Sequence, residues 1–230
     1  MTASGTAFDR ALDLLGRAIV DGELPVGHTD TIEGLVERAG VSRSVVREVT
    51  RVLGSLGMLS AGRRVGLRVL GGEHWDVLDP LVIRWRLHGP EPQEQIDELR
   101  ALRHAIEPAA AAAAATAVQR GQRETQTLED AITAMRRAAG APEAAAFLQA
   151  DRALHAAVLG LSANSMFTRL RAVIDEGLQE RALRERAELL PDPHDVELHG
   201  RVAEAILGGD AEAAASAMRE IVERTTRAAR

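Results

Sequence analysis

Residues 109–115 are seven alanines in a row, flanked on both sides by segments with helical periodicity. Alanine is the strongest helix former, and its small side chain lets a neighbouring helix come close. The run therefore points to a helix packed against other helices. From residue 92 onward the spacing of apolar residues predicts helices over 92–120, 124–139, 142–160, 163–188, 195–208 and 210–229, with no strand among them. The chain has three Phe, two Trp and no Tyr, so such a bundle must pack on Leu, Ile, Val and Ala.

The first 70 residues read differently. Phe8, Ala11, Leu12, Leu15, Ala18 and Ile19 share one face of a helix over 8–21, which the turn-rich GELPVGHTD then ends. A short helix over 31–39 closes at Gly40, and Ser42 is placed to cap a third helix running to about Leu56. MLS and LRVL, around the basic turn AGRRVG, predict two short strands. Helix, helix, turn, helix and hairpin is the winged helix-turn-helix outline. The predicted fold is mainly α: a winged helix-turn-helix domain over 1–70, a linker with a short helix over 71–91, and an all-α antiparallel helical bundle over 92–230.

Charge supports that division. The formal net charge is −6, yet residues 1–70 carry 9 Arg against 8 acidic residues while the remainder carries 19 against 26. A polyanionic partner is expected to meet the head. There is no cysteine, which excludes disulfides and thiolate metal sites. No apolar run approaches the roughly 18–20 residues needed to span a bilayer, and the N-terminus lacks a signal core. A cytoplasmic protein with no membrane partner is expected.

In the third helix, VSRSVVREVTR, one residue turns about 100°, which puts Arg43, Arg47, Arg51 and Ser44 within about 100° of one another. Val45, Val46, Val49, Val52, Leu53 and Leu56 occupy the other side. Arginine is well shaped to grip phosphate or the guanine edge bidentately, so this face suits a helix entering the major groove. A charged face that is merely solvated is the plainer alternative. In the bundle, Asp151 and His155 lie one turn apart among Phe147, Leu154 and Val158. His199 sits between Val196, Val202 and Ile206, and Arg103 among Leu99, Ile106 and Ala110. Buried charges must be paired or bound to something. Asp151, His155 and His199 make a plausible divalent-metal set, and Arg103 suits a ligand carboxylate. The alternative is a core ion pair in which Asp151 holds His155 or Arg103.

GELPVG, then LVERAGVSRSVVREVTRVLGSLGMLSAGRRVGLRV, resembles the DNA-binding head of GntR-type bacterial regulators across residues 8–69. LRALRHAIEPAAA, FLQADRALHAAVLGLSANSMFTRL and ELHGRVAEAILGGDAEAAASAMREIV resemble the FadR-like branch of that family, with its all-helical FCD effector domain. The resemblance implies base and phosphate contacts from Ser42, Arg43, Ser44 and Arg47, with Arg64 and Gly66 in the wing. It implies an effector site with Arg103 and Asn164, and a divalent metal, zinc or similar, on Asp151, His155 and His199. Two departures stand out. Thr31-Ile32 replace the family's Ser-Glu, and Ile221 replaces its final histidine ligand, with His194 and Glu220 nearby in sequence. WDVLDPLVIRWRL resembles the segment after the head in sugar-acid-responsive members. The expected function is a ligand-responsive transcription regulator, a repressor, whose homodimer reads a palindromic operator in double-stranded DNA and senses a small carboxylate. It is not expected to be an enzyme. The competing readings are a metal-dependent helical hydrolase with an accessory head, and a non-specific DNA coater.

Overall fold

The structure is a computed structural model that describes residues 5–62, 66–139, 144–185 and 193–227. It divides into two compact units, Met1–Gln95 and Ile96–Arg230.

In the first unit, α1 (Ala7–Val20) starts at a capping box: Thr6 accepts from the Asp9 backbone, and Asp9 reaches back to the Thr6 backbone. The next helix, α2 (Ile32–Ala39), is capped by Thr31, whose hydroxyl accepts from the Gly34 N–H at 3.1 Å. Thr31 thus supplies a cap where the family has serine. Gly40 ends α2 at φ 64°, a left-handed conformation that glycine adopts without strain. Helix α3 (Arg43–Ser55) follows from Ser42 and buries Val46, Val49 and Leu53 against Leu12, Leu15 and Ile19 in one aliphatic core.

The wing has one strand more than the sequence suggests. β2 (Leu59–Gly62) and β3 (Gly66–Val69) pair antiparallel, and β1 (Thr29–Asp30) pairs with the other edge of β3, giving the order β1-β3-β2. Gly66 lies across from Gly62 at φ 82°. A Cβ there would come within 2.5 Å of the Asp30 carbonyl oxygen, so the sheet itself calls for glycine.

The segment after the wing folds onto the head. A 3-10 turn at Gly72–His74 leads to Trp75, whose indole donates to the Leu70 carbonyl at 3.1 Å. Helix α4 (Pro80–Leu87), capped by Asp79, packs against α1. Trp85 is buried there and its indole N–H donates to Asp13 at 2.9 Å. Its ring fills the space above Gly16, where a Cβ would be only 2.5 Å from ring carbons.

The second unit is a helical bundle of α5 (Pro92–Gln119), α6 (Gln126–Ala139), α7 (Ala144–Leu161), α8 (Ser165–Arg169), α9 (Arg171–Glu185), α10 (Pro193–Leu207) and α11 (Ala211–Arg227). Helices α6 and α7 pack directly on one another, as do α10 and α11; α10 also packs on α6, and α9 on α7. Four alanines of the run, Ala110, Ala111, Ala114 and Ala115, are fully buried in the common core. The helix expected over 163–188 is two: Asn164 caps α8 through its side chain, and the chain restarts after Leu170 as α9. No helix among the described residues is long and apolar enough to cross a membrane.

Gly16→Ala tests the α1–α4 contact. At an exposed helical site this change stabilises by about 0.5–1 kcal/mol; here the added methyl meets Trp85 and the expected outcome is a loss of about 1–3 kcal/mol. Urea unfolding followed by tryptophan fluorescence reads it, because both tryptophans, Trp75 and Trp85, lie in this unit.

Candidate functional site

The exposed side of α3 carries the residues singled out for DNA. Ser42 accepts from the Val45 N–H at 3.4 Å, and its hydroxyl lies 2.9 Å from that of Ser44. Arg43, Ser44, Arg47 and Arg51 are all exposed. Arg43 pairs with Glu33 of α2 at 3.1 Å, and Arg51 with Glu48 at 2.9 Å. Among the described residues the Arg47 guanidinium has no ion-pair partner. Glu33, which the sequence reading passed over, therefore holds one of the three arginines. Gly66 stands at the start of β3; Arg64 falls outside the described residues.

The second site is a chain of ionisable groups buried between α5, α7 and α10. On α5, Nε of Arg103 donates to Oε1 of Glu107 at 2.6 Å, one turn on. Oε2 of Glu107 lies 2.5 Å from Nδ1 of His155 on α7. Nε2 of His155 faces Oδ1 of Asp151 at 3.6 Å, and the same oxygen lies 2.9 Å from Nε2 of His199 on α10. His199 is fixed from behind: its Nδ1 donates to the Asp195 carbonyl at 2.5 Å, since a carbonyl can only accept. The two imidazole rings meet edge to face, centroids 5.6 Å apart. All five residues are 1–6 % exposed.

Electrostatics follow from this mutual enclosure. Burial works to raise the Glu107 carboxyl, but Arg103 and then His155 overcome it and hold it down at about 2. Burial likewise opposes the charge on Asp151, yet the adjoining His155 and His199 keep that carboxyl well below its ordinary range. For His155 burial pulls downward; Glu107 and Asp151 outweigh it and push the imidazole up to about 9. Between two carboxylates, the ring holds its proton in the absence of metal.

Asp151, His155 and His199 each offer a ligand atom, all within 4.8 Å of one another. Donors about 2.0–2.1 Å from a tetrahedral zinc stand about 3.3 Å apart. The 2.9 and 3.6 Å separations bracket that value. Oδ1 of Asp151 and Nε2 of both histidines make no hydrogen bond, and neither do Oε2 of Glu107 and Nδ1 of His155, which meet as a close ion-pair contact. Three donors at these separations fit a three-ligand metal site with open positions. Ile221 is buried in the apolar core, and His194 and Glu220 pair with each other at 3.9 Å on a half-exposed surface, outside the triad.

The structure brings Asp151, His155 and His199 together and joins Arg103 to them through Glu107. Asn164 is half-buried; its side chain caps α8 by accepting from the Met166 N–H at 2.9 Å, and no hydrogen bond or ion pair ties it to the triad among the described residues. Glu107 went unnoticed in the sequence, although its spacing of four from Arg103 was a signal. Arg103 pairs with Glu107, and Asp151 lies 2.9 Å from His199 and 3.6 Å from His155.

Two neighbouring substitutions separate buried from exposed pairing. Asp151→Ala strands two imidazoles in the core and should cost about 3–5 kcal/mol. Arg152→Ala breaks a pair with Asp175 that is one-third exposed on each side, and should cost about 1 kcal/mol or less. Chemical denaturation followed by far-UV circular dichroism measures both.

Comparison with known proteins places this geometry in a family. Residues 98–224, more than half of the chain, match the FCD domain. The galactonate operon transcriptional repressor of Escherichia coli K12 is 29 % identical over 223 residues, 95 % of each chain. The uncharacterized HTH-type transcriptional regulator YieP of the same strain is 25 % identical, covering 89 % of this chain and 83 % of its own. Among solved structures, Lar, which controls expression of the Listeria monocytogenes agr system, superposes with TM-score 0.59 at 18 % identity, over 99 % of this chain and 98 % of that one. The Streptococcus agalactiae GntR structure gives TM-score 0.51 at 22 % identity, over 97 % and 100 %. The structural likenesses establish the shared fold; with the domain match and the sequence relatives, they identify this chain as a GntR-type transcription regulator of the FCD-domain family.

Proposed function

We propose that the chain is a ligand-responsive transcription regulator, a repressor acting in the cytoplasm, that binds a palindromic operator as a homodimer and senses a small organic acid. The observation that carries this reading is Arg47: exposed on the polar side of a capped α3, without an ion-pair partner among the described residues. A free guanidinium there suits bidentate contact with a guanine edge. Ser42, Arg43 and Ser44 flank it as base and phosphate contacts, and Arg64 and Gly66 form the wing. Two such heads on a symmetric dimer meet successive major-groove faces of a palindrome.

In the helical unit, Arg103 and Asn164 take the effector, and Asp151, His155 and His199 hold a divalent ion such as zinc. The ion supplies a Lewis-acid anchor for a ligand carboxylate oxygen. To hold the ion His155 would present a deprotonated Nε2, with Glu107 and the Asp195 carbonyl orienting the rings and the aliphatic core excluding water. A sugar acid is the effector class we favour, because residues 75–87 resemble sugar-acid-responsive members and a relative along the whole chain is a galactonate operon repressor. Effector binding shifts the population toward head arrangements that fit the operator less well. Nothing in the comparisons supports the hydrolase alternative.

Gel-shift titration on the DNA upstream of the protein's own gene, at about 0.15 M salt with unrelated competitor DNA, tests the reading. Wild type should give a discrete, competitor-resistant shift. Arg47→Ala should weaken it by about 1–3 kcal/mol, roughly 5- to 150-fold. Arg43→Ala, already shared with Glu33, should cost less. Equal affinity of Arg47→Ala and wild type would remove Arg47 from the interface. Millimolar galactonate should release the wild-type complex; a complex indifferent to it would exclude this sugar acid.

A further inference from the structure

Glu107 is the member of the buried chain whose two oxygens serve two different helices. Oε1 receives Arg103 on its own α5, and Oε2 contacts Nδ1 of His155 on α7. The nitrogens of an imidazole lie on opposite edges of the ring, so a partner at Nδ1 directs Nε2 the other way. Nε2 of His155 accordingly faces Oδ1 of Asp151, the atom that also meets Nε2 of His199. Both rings thus have a neighbour at Nδ1, a hydrogen-bonded carbonyl for His199 and an ion-pair contact with Glu107 for His155, and present Nε2 to one carboxylate. His199 is held by a carbonyl of its own helix, whereas His155 depends on a side chain from another.

We infer that Glu107 is a positioning residue for the Asp151–His155–His199 metal site, setting the ring of His155 so that Nε2 is the donor. The inference rests on the metal reading proposed above. Glutamate suits the task by charge and by length. Aspartate is a methylene shorter and does not reach from α5 to both partners. Glutamine offers one acceptor and one donor to two donors, so either Arg103 or His155 faces an N–H. Ile221 raises the stakes: where the resemblance puts a fourth ligand it offers a side chain that cannot ligate, so each remaining ligand must be well oriented.

The test is zinc binding by the full chain, titrated with zinc alone against a chromophoric chelator. Wild type should bind, His199→Ala should not, and Glu107→Gln should bind about 10- to 100-fold more weakly. Glu107→Asp should also be weakened, which separates position from charge. Proton–nitrogen correlation spectra of the histidine rings give a readout that lost stability does not mimic. In zinc-loaded wild type His155 should show a protonated Nδ1 and a metal-bound Nε2; in Glu107→Gln that signature should become mixed while His199 keeps its own. If Glu107→Gln does not fold, Arg103→Gln/Glu107→Gln, which also removes the charge facing the new amide, carries the same measurements. Zinc binding absent from wild type, or undiminished in His199→Ala, overturns the metal reading and this inference with it. Binding lost in His199→Ala but equal in Glu107→Gln and wild type overturns the positioning role alone.

Discussion

Five ionisable side chains enclosed in an aliphatic core govern the second unit. Removing such groups from water costs several kcal/mol each, and only mutual pairing in good geometry offsets it. Arg103 and Glu107 must be one turn apart on α5, Asp151 and His155 one turn apart on α7, and His199 must come from α10 at the right height. A slip of one residue in any of these helices would leave a charge with no partner. The apolar contacts of the bundle, built from Leu, Val, Ile and Ala of similar shape, tolerate more latitude. The polar chain therefore fixes the register that the hydrophobic packing alone leaves loose.

What could be read from the sequence was what depends on local spacing. Gly40, Ser42 and the valines of α3 announce a capped recognition helix because caps and periodicity involve residues within a few positions. Asp151 and His155 could be paired for the same reason. The third strand, two residues long, carries no pattern and exists because β3 offers it an edge. Asn164 reads equally well as a ligand contact or a helix cap, and the break between α8 and α9 at Leu170 was hidden in a longer helical pattern. Glu107 looks like any glutamate on a helix until α7 brings His155 against it.

In the head, two of the three arginines on α3 are already engaged by Glu33 and Glu48. Exposed pairs of this kind are weak and screened by salt, so a phosphate can replace the carboxylate at little cost. They also reduce the positive charge a random DNA segment encounters. Indiscriminate attraction is moderated while the Arg47 guanidinium is left exposed.

The contact between Trp85 and Gly16 has a consequence for how such proteins diversify. Families of regulators recombine heads with sensor domains, and the natural place to cut looks like the end of the wing. A crossover there would leave the notch over Gly16 open and Asp13 without its indole donor. A transplanted head must therefore bring α4 with it, so the inherited unit runs on past the wing to Leu87.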